Sequence, residues 1–296
     1  MNWRQVATVL TPPAVASELR RARRWLSHHR DGQAAAPAWE VVPEGWRYAD
    51  AHPEVAGWNV ASVLRTQLAR WPRFVAMVEG NEPLGFSHES DLSYRLDLAS
   101  HNAIMSFAYA LALAARGRDR VSFLDWGGGL GHFLVLGCRL LPEIQIEYHC
   151  RELPLLAEQG ARIFPDQHFT ADDACLERKY DLVMASTSLQ YEEDWRALLA
   201  RLGGATGEIL YVTGLPVVVH APSFMFVQRP HEFGYDTEYL AWCLNRDEFI
   251  AETEANGLRL MRELVVGHRP PIAGAAEQAE YRGFLFRPCS KEGEPR

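Results

Sequence analysis

The feature that most constrains the fold is a cluster of glycines, four among residues 127–131, that follows an apolar segment ending in Asp125. Val121 to Asp125 has the composition of a buried strand, and residues 131–141 have the apolar spacing of a helix. A strand that enters a helix through glycines makes a tight turn whose backbone a ligand can approach closely. The sequence therefore predicts a ligand site at the carboxyl end of this strand.

The spacing of the glycines indicates the kind of ligand. A dinucleotide fingerprint G-x-G-x-x-G would need a glycine at position 126 or 132, where the chain has Trp126 and His132. The pattern D-x-G-x-G-x-G is satisfied by Asp125, Gly127, Gly129 and Gly131. Because a carboxylate at the strand end repels a pyrophosphate, this pattern favours a ligand that carries an ammonium and a sulfonium.

The surrounding residues alternate between predicted strands and helices. Strands are predicted over 121–125, 144–149, 181–185 and 207–213, and helices over 131–141, 154–164 and 194–202. A helix over 245–256 and two closing strands over 259–266 and 281–287 follow. Such repetition predicts a Rossmann-like α/β fold: a parallel sheet with an antiparallel closing strand and helices on both faces.

The residues before this repeat are predicted to form a helical cover. Apolar residues recur at helical spacing from Asn59 until Pro72 interrupts them, and residues 101–115 form a nearly all-apolar helix that should be buried. We divide the chain into four parts: a basic helix and linker (1–37), the helical cover (38–99), the catalytic domain (100–288) and a tail (289–296).

The N-terminal thirty residues hold six arginines and one glutamate, whereas the whole chain of 296 residues carries a net charge of -8. The segment 17–30 fits either peripheral binding to an anionic bilayer or a solvated or subunit-contacting helix. The acidic balance elsewhere argues against binding nucleic acid. Five cysteines without a C-x-x-C pair and no long apolar run favour a cytoplasmic protein with reduced thiols.

Acidic residues beyond the glycine loop are candidates for binding the rest of the ligand. Glu152 lies at the end of the second predicted strand, where a carboxylate accepts hydrogen bonds from ribose hydroxyls in nucleotide-binding folds. Asp172 and Asp173 follow the third strand and are candidates for contact with an adenine amino group. An alternative is that the glycines only make a turn and that Glu152 only solvates a helix N-terminus.

These motifs resemble those of the class I S-adenosylmethionine-dependent methyltransferases. The segments FLDWGGGLGH, YDLVMASTSLQY and YDTEYLAWCLNRDEF are similar to a bacterial methyltransferase family, some members of which accompany cell-surface polysaccharide genes. The resemblance implies S-adenosylmethionine as cofactor and S-adenosylhomocysteine as product, and no metal is expected. The cofactor-binding candidates are Asp125, Gly127, Gly129, Gly131, Glu152, Asp172, Asp173, Ser186 and His101.

The acceptor side is less well defined by the sequence. YDLVMASTSLQY resembles the fourth strand and its exit, which makes Ser186, Gln190 and Tyr191 candidates for the active-site wall. The chain lacks the Asn/Asp-Pro-Pro-aromatic motif of amine methylation, and the strand end lacks the carboxylates of a magnesium site. Methylation of a hydroxyl on a small molecule or saccharide is therefore the first expectation.

Methylation of a hydroxyl requires a base. The candidate catalytic residues are His231, His132 and Tyr191, with His231, Tyr235 and Asp236 grouped in a predicted lid over 228–236. A lone histidine is also typical of a capping or packing residue. Two other functions remain open: a non-catalytic binding or scaffold protein with the same fold, and a nicotinamide oxidoreductase, which the glycine spacing disfavours. The oligomeric state is not predicted.

Overall fold

The predicted alternation of strands and helices is present in the computed structural model, which describes residues 36–85 and 97–289. The basic segment 17–30 and the tail beyond Cys289 lie outside the described residues, so their predicted roles stay predictions. The elements described below all belong to one compact unit, Ala38–Arg296.

The strands of the described residues are β1 (Trp39–Val41), β2 (Arg120–Trp126), β3 (Gln145–Arg151), β4 (His168–Thr170), β5 (Tyr180–Ser186), β6 (Thr206–Val218), β7 (Phe224–Gln228), β8 (Tyr239–Asn245), β9 (Leu258–Val265) and β10 (Glu280–Pro288). The helices are α1 (Tyr48–Ala51), α2 (Ala61–Glu79), α3 (Leu98–Ala114), α4 (His132–Leu140), α5 (Pro154–Ile163), α6 (Trp195–Ala205) and α7 (Arg246–Ala255). Short 3-10 turns cover Asp173–Glu177, Leu189–Tyr191 and His231–Phe233.

The strand order confirms the predicted fold class. Strands β4, β3, β2, β5 and β6 are neighbours in this order and run parallel. Strand β10 pairs antiparallel with both β6 and β9, so it is the predicted antiparallel closing strand. Because parallel neighbours end at the same edge, the exits of β2, β3, β4 and β5 meet at the carboxyl edge of the sheet.

Helices cover both faces of the sheet, because successive residues of each buried strand point to opposite sides. In β2, Phe123 packs in one apolar cluster with Phe107 of α3, and Leu124 packs in another with Trp195 of α6. Each of these side chains is almost fully buried. The sheet therefore lies between two hydrophobic layers that fix the position of its carboxyl edge.

The two helices that precede the strand–helix repeat each differ from their prediction in one respect. Helix α2 continues through Pro72 to Glu79, because Phe74 and Val78 after the proline are buried in the core and hold the last turns in place. Helix α3 is not buried all round, since Met105 and Tyr109 are 37% and 45% exposed. Both expectations from sequence were wrong, because side-chain packing decides these points and the local pattern does not.

The structure also contains an antiparallel extension that the sequence analysis does not predict. Strand β8 continues the sheet beside Val217 and Val218 of β6, β7 pairs antiparallel with β8, and β1 pairs with β7. These strands are largely buried on both faces, so they lack the apolar–polar alternation that marks a strand in sequence. The predicted lid over 228–236 is mainly the connection between β7 and β8.

Candidate functional site

The glycine loop at the end of β2 requires glycine for steric reasons. Gly127, Gly129 and Gly131 have φ of 77°, 60° and 93°, in the left-handed region that strains other residues. A Cβ atom on Gly127 would lie 2.5 Å from the Cβ of Ser188. One on Gly131 would lie 3.0 Å from the ring of Phe164. The loop is therefore packed directly against the residues that follow β5 and α5.

Asp125 lies at the end of β2 and is 0% exposed. Its Oδ2 accepts a hydrogen bond from the Tyr148 hydroxyl at 2.7 Å, whereas Oδ1 has no donor among the described residues. Burial and, to a smaller extent, the charge of the nearby Glu152 raise the pKa of Asp125 to about 7, although the hydrogen bond from Tyr148 opposes the shift. A buried carboxyl with one oxygen unsatisfied is suited to a cationic ligand.

Glu152 ties the end of β3 to the glycine loop and is 7% exposed. Its Oε2 accepts from the Gly129 amide at 2.8 Å, and its Oε1 accepts from the Leu153 amide at 2.6 Å. Burial raises the pKa of Glu152, although both backbone hydrogen bonds oppose the shift. Each carboxylate oxygen can accept a second hydrogen bond, so both remain able to bind hydroxyl groups.

Asp172 and Asp173 have different partners although they are neighbours. Asp172 Oδ1 accepts from the Ala174 amide at the start of a 3-10 turn. Asp173 binds Arg151 Nε at 2.9 Å and Arg201 Nη1 at 2.8 Å. Burial would raise the pKa of Asp173, but the two arginines hold it below its ordinary value. The carboxylate of Asp173 is thus engaged by protein cations, whereas no ion pair among the described residues involves Asp172.

Trp126 is 3% exposed and is covered by Arg151, whose guanidinium carbon lies 4.3 Å from the ring centroid. Because the same guanidinium binds Asp173, β2, β3 and the turn after β4 are joined at this point. A cation stacked on a buried indole is a stable arrangement. It places Trp126 in the structural support of the carboxyl edge.

The exit of β5 is held against the glycine loop. Ser186 is paired with Thr213 of β6, and the Ser188 hydroxyl donates to the Trp126 carbonyl at 2.7 Å. Between them, Thr187 has a φ of 51°, a conformation that a β-branched residue rarely adopts. Gln190 follows, 1% exposed, with its amide donating to Gly214 O at 3.3 Å and its Oε1 without a donor among the described residues. Backbone strain of this kind is found at functional sites.

The three candidate histidines lie in different environments. His101 Nδ1 lies 2.6 Å from the carbonyl of Leu84 in the helical cover, and no described hydrogen bond joins it to the glycine loop. His132 is 9% exposed and packs edge-on against Trp71 and Phe74, with ring centroids 5.0 and 4.7 Å away. The structure therefore gives His132 the surroundings of a packing residue.

His231 is exposed, and both of its ring nitrogens face acceptors. Its Nδ1 lies 3.1 Å from the carbonyl of Tyr235, and its Nε2 lies 3.5 Å from Glu238 Oε1. In this conformation both ring nitrogens face protein oxygen atoms, so neither is available to take a proton from a bound acceptor molecule. His231 would have to leave one partner before it could act as a base.

An aromatic cluster, composed of Trp58, Tyr191, Tyr235 and Tyr239, lies between the exit of β5 and the connection from β7 to β8. The ring of Trp58 stacks on Tyr239 at 4.2 Å and meets Tyr191 and Tyr235 edge-on at 5.2 and 5.9 Å. The Tyr191 hydroxyl donates to Gln228 Oε1 at 3.0 Å. Trp58 also packs against the apolar cluster that contains Leu130 of the glycine loop. Of this group, sequence reasoning named only Tyr191 and Tyr235.

Residues 36–85 and 97–289 contain no group of three or more His, Cys, Asp or Glu side chains that could hold a metal ion. Within the same part of the chain, no helix has the length and apolar character needed to cross a bilayer.

The chain is similar in structure to several methyltransferases. One from Clostridium acetobutylicum, dependent on S-adenosylmethionine, is 12% identical, with a TM-score of 0.44 and coverage of 62% of this chain and 90% of that chain. Another is the magnesium protoporphyrin IX methyltransferase from Synechocystis, solved with bound S-adenosylhomocysteine. It is 15% identical with a TM-score of 0.44, and the match covers 75% of this chain and 94% of that chain. A third is the 1,6-didemethyltoxoflavin-N1-methyltransferase from Burkholderia thailandensis, which is 16% identical with a TM-score of 0.42. That match covers 64% of this chain and 79% of that chain.

The chain matches no protein-family model, and it matches no curated protein. At the identities and TM-scores given above, the structural similarities carry no argument about cofactor or acceptor. The functional assignment therefore rests on the geometry of the carboxyl edge.

Proposed function

We propose that the chain is an S-adenosylmethionine-dependent methyltransferase that methylates a hydroxyl group of a small molecule or saccharide. The observation that carries this proposal is Asp125, a carboxyl group with no exposed surface at the end of the central strand, whose Oδ1 has no donor among the described residues. A buried acceptor of this kind is costly unless a ligand supplies the donor. The ammonium of S-adenosylmethionine is such a donor.

The remaining residues of the carboxyl edge fit the rest of this cofactor. Glu152 would accept from the ribose hydroxyls with its free lone pairs while it continues to hold Gly129. Asp172 is better placed than Asp173 to accept from the adenine amino group, because two arginines already occupy Asp173. Ser186, at the exit of β5, would face the transferred methyl group, as the sequence resemblance implies.

His101 is the least supported of the cofactor-binding candidates, because its described hydrogen bond is to Leu84 in the cover. We keep it among the proposed cofactor-binding residues as a side chain of α3, at the start of the predicted catalytic domain. Gly127, Gly129 and Gly131 would provide the close backbone approach that the ligand needs.

When bound, the cofactor supplies a methyl group activated by a sulfonium. The task of the chain is to align the acceptor and to exclude water, since methyl transfer is an in-line displacement. The aromatic cluster provides a largely apolar wall next to the glycine loop, and Gln190 and Gln228 provide amide groups that can hydrogen-bond a hydroxyl acceptor.

The base is proposed to be His231 after release from Glu238 or Tyr235, with Tyr191 as the alternative. Release is plausible in physical terms because the side chain of His231 is 48% exposed and its ion-pair contact with Glu238 is long, at 3.5 Å. The Tyr191 hydroxyl is closer to the β5 exit but donates its proton to Gln228. His132 is less suited, because its ring packs against two aromatic side chains.

Calorimetric titration with S-adenosylmethionine, S-adenosylhomocysteine and NADH tests the cofactor. We expect the wild-type chain to bind both adenosyl compounds and not NADH, and Asp125→Asn and Glu152→Gln each to weaken binding by about 10- to 100-fold. Glu208→Gln is the matched control, since Glu208 pairs with Arg118 and follows the start of β6, at the opposite edge of the sheet. Binding of NADH, or no binding of either adenosyl compound, would refute the proposal.

Transfer of a labelled methyl group tests the reaction. The chain would be incubated with S-adenosylmethionine labelled in the methyl group and with fractionated small molecules and saccharides, followed by mass spectrometry of the product. A methyl group on oxygen supports the proposal, and one on nitrogen or carbon contradicts its acceptor class. Cofactor binding without transfer to any fraction would favour the alternative, a non-catalytic binding protein; the exposed, doubly engaged His231 is the observation that keeps this alternative open.

A further inference from the structure

Gln67 is a buried polar residue that has no part in the contacts proposed above for the cofactor and the acceptor. It lies in α2, outside the strand–helix repeat, and is 4% exposed. Its Oε1 has no hydrogen-bond donor among the described residues. An amide oxygen without a donor is unfavourable in a dry interior, and such groups in folded proteins call for an explanation.

The position of Gln67 suggests that explanation. Its Oε1 lies 3.5 Å from the point that a Cβ atom on Gly129 would occupy, so it faces the second glycine of the D-x-G-x-G-x-G pattern. The Gly129 amide cannot satisfy it, because that N–H donates to Glu152. Gly128, the preceding residue, lies against Asp125, the other acceptor at this loop with an unsatisfied oxygen. The Asp125 atom next to Gly128 is Oδ2, which Tyr148 binds, and the oxygen without a donor is Oδ1 of the same carboxyl group. Two side chains on different elements, each with one unsatisfied oxygen, thus lie against adjacent residues of one loop.

A ligand that satisfies both oxygens must bring several N–H donors. An alkylammonium has three, and its charge suits the Asp125 carboxylate. We infer that Gln67 binds the amino-acid portion of the cofactor, with its Oε1 accepting a hydrogen bond from the α-ammonium; this inference rests on the proposed function. The cofactor site is then completed by a residue from the helical cover.

Gln67 would also connect the cofactor to the acceptor side of the site. Three neighbours of Gln67 in α2 hold the connection between β7 and β8. The Asp236 amide donates to Ser62 Oγ at 3.0 Å, the Thr66 hydroxyl donates to Gly234 O at 3.4 Å, and Arg70 donates to Phe233 O at 3.1 Å. A ligand that fixes α2 through Gln67 therefore also fixes the segment that bears His231 and Tyr235. The cofactor is expected to bind before the acceptor.

The test compares ligands that share the adenosine but differ at the amino-acid end. S-adenosylhomocysteine carries the ammonium and the carboxylate, decarboxylated S-adenosylmethionine carries only the ammonium, and 5′-methylthioadenosine carries neither. Calorimetry on wild type and Gln67→Leu should show that the substitution weakens the first two ligands by about 10-fold or more. The affinity for 5′-methylthioadenosine should change less than about 2-fold, since no contact to the adenosine is removed.

Two further variants complete the experiment. Gln67→Met preserves the length of the side chain and should behave like Gln67→Leu, and the melting temperatures of both should confirm that they fold. Ala69→Ser, the matched control at an exposed position two residues further along α2, should leave all three affinities unchanged. Amide hydrogen exchange provides a second readout: S-adenosylhomocysteine should protect residues 231–238 in wild type and protect them less in Gln67→Leu.

Each other outcome overturns the inference in a recognisable way. Equal weakening of all three ligands would make Gln67 a structural residue, and weakening of S-adenosylhomocysteine alone would assign it to the carboxylate instead of the ammonium. No effect on any ligand would remove it from the site. If wild type binds none of the adenosyl compounds, the proposed function fails and this inference fails with it; if wild type binds them, only the inference is at risk.

Discussion

The two halves of the candidate site are built in different ways. The core of the cofactor side, which comprises Asp125, the glycine loop and Glu152, comes from one continuous stretch of chain, residues 125–152, and Gln67 and Asp172 are proposed to complete it. The acceptor side, which comprises the aromatic cluster with Gln190 and Gln228, is assembled from the cover, the β5 exit and the β7–β8 extension. Local strand–turn–helix geometry is sufficient to form the first half, whereas the second exists only when distant segments have folded together.

The two halves also differ in charge. Two nearly fully buried carboxyl groups face the glycine loop, while the acceptor side presents phenol, indole and amide groups. Burial of carboxyl groups is tolerated where a cation binds or where ionisation is suppressed, and neutral groups suit a neutral acceptor. The contrast supports a cationic cofactor on one side and an uncharged acceptor on the other.

The largest expected effect on stability comes from Gly127→Ala, which disrupts the packing between the glycine loop and the residues that follow β5. The new Cβ would lie 2.5 Å from Ser188 Cβ, at a φ of 77°. Left-handed strain and overlap in a packed region together should lower the free energy of unfolding by about 3 kcal/mol. Urea denaturation measures the loss, and near-ultraviolet circular dichroism reports whether the aromatic cluster is disturbed.

Gly204→Ala is the control for this substitution. Gly204 lies in α6, and a Cβ atom there would meet nothing within 4 Å, so alanine should stabilise the helix by up to about 1 kcal/mol. If Gly127→Ala weakened cofactor binding while it left both the stability and the aromatic signal unchanged, the two halves would be independent, contrary to the packing described here.

The second effect is a pH dependence confined to the cofactor side. The pKa of Asp125 is raised to about 7, so below that pH the carboxyl is mostly protonated, and a cationic ligand must displace the proton. The affinity for S-adenosylhomocysteine should therefore rise with pH by up to about 10-fold per unit below pH 7, and level off above about pH 8. Calorimetry between pH 5.5 and 8.5 measures this dependence, which Asp125→Asn should abolish.

The stability of the unliganded chain should change in the opposite direction. Because the folded pKa of Asp125, about 7, lies above its model-compound value of 3.8, the protonated form stabilises the folded state at low pH. That contribution is lost as the pH rises through about 7. Asp125→Asn should thus be more stable than wild type at pH 8 and similar to it at pH 4. Identical stability profiles for the two proteins would show that Asp125 titrates normally.

The contrast between the halves also explains what the sequence could predict. The strand–helix alternation, the end of β2 at the glycine loop and the position of Glu152 all follow from local pattern, and the structure brings Asp125, Gly129 and Glu152 together. Trp58 and Gln228 carry no local signal, because their partners lie more than thirty residues away along the chain in each case. The pattern also gave no indication that Gln67, one of several residues at helical spacing, would face the glycine loop.

The histidines illustrate the same limit. His132 follows the glycine loop directly, and its proximity in sequence made it a candidate base. Its ring packs edge-on against Trp71 and Phe74, which belong to the distant helix α2, and its Nδ1 lies 3.3 Å from the point that a Cβ atom on Gly129 would occupy. Sequence position fixes where a helix begins, but the orientation of its first side chain depends on what packs against it.

The third prediction separates two neighbouring carboxylates at the adenine end of the cofactor side. Asp172→Asn should weaken S-adenosylhomocysteine by roughly 3- to 10-fold and leave stability nearly unchanged, because it removes an acceptor that has no ion pair. Asp173→Asn should leave the affinity nearly unchanged and cost up to about 1 kcal/mol of stability, since the ion pairs that it breaks are partly exposed. Calorimetry and urea denaturation on both variants measure these effects, and the reverse pattern would assign the adenine contact to Asp173.

The smallest effect is expected from Tyr191→Phe, which examines the acceptor side alone. The substitution removes the hydrogen bond to Gln228 Oε1 but keeps the ring contacts with Trp58 and Tyr239. Because Gln228 is 4% exposed and loses its donor, the free energy of unfolding should fall by about 1 kcal/mol. The affinity for S-adenosylhomocysteine should stay within about 2-fold of wild type, since no group on the cofactor side is altered.

Tyr109→Phe, on the exposed face of α3, is the control and should change neither the free energy of unfolding nor the affinity for S-adenosylhomocysteine. A marked loss of cofactor affinity in Tyr191→Phe would mean that Tyr191 contacts the cofactor. The residues that follow β5 would then belong to the cofactor side and not to the acceptor side.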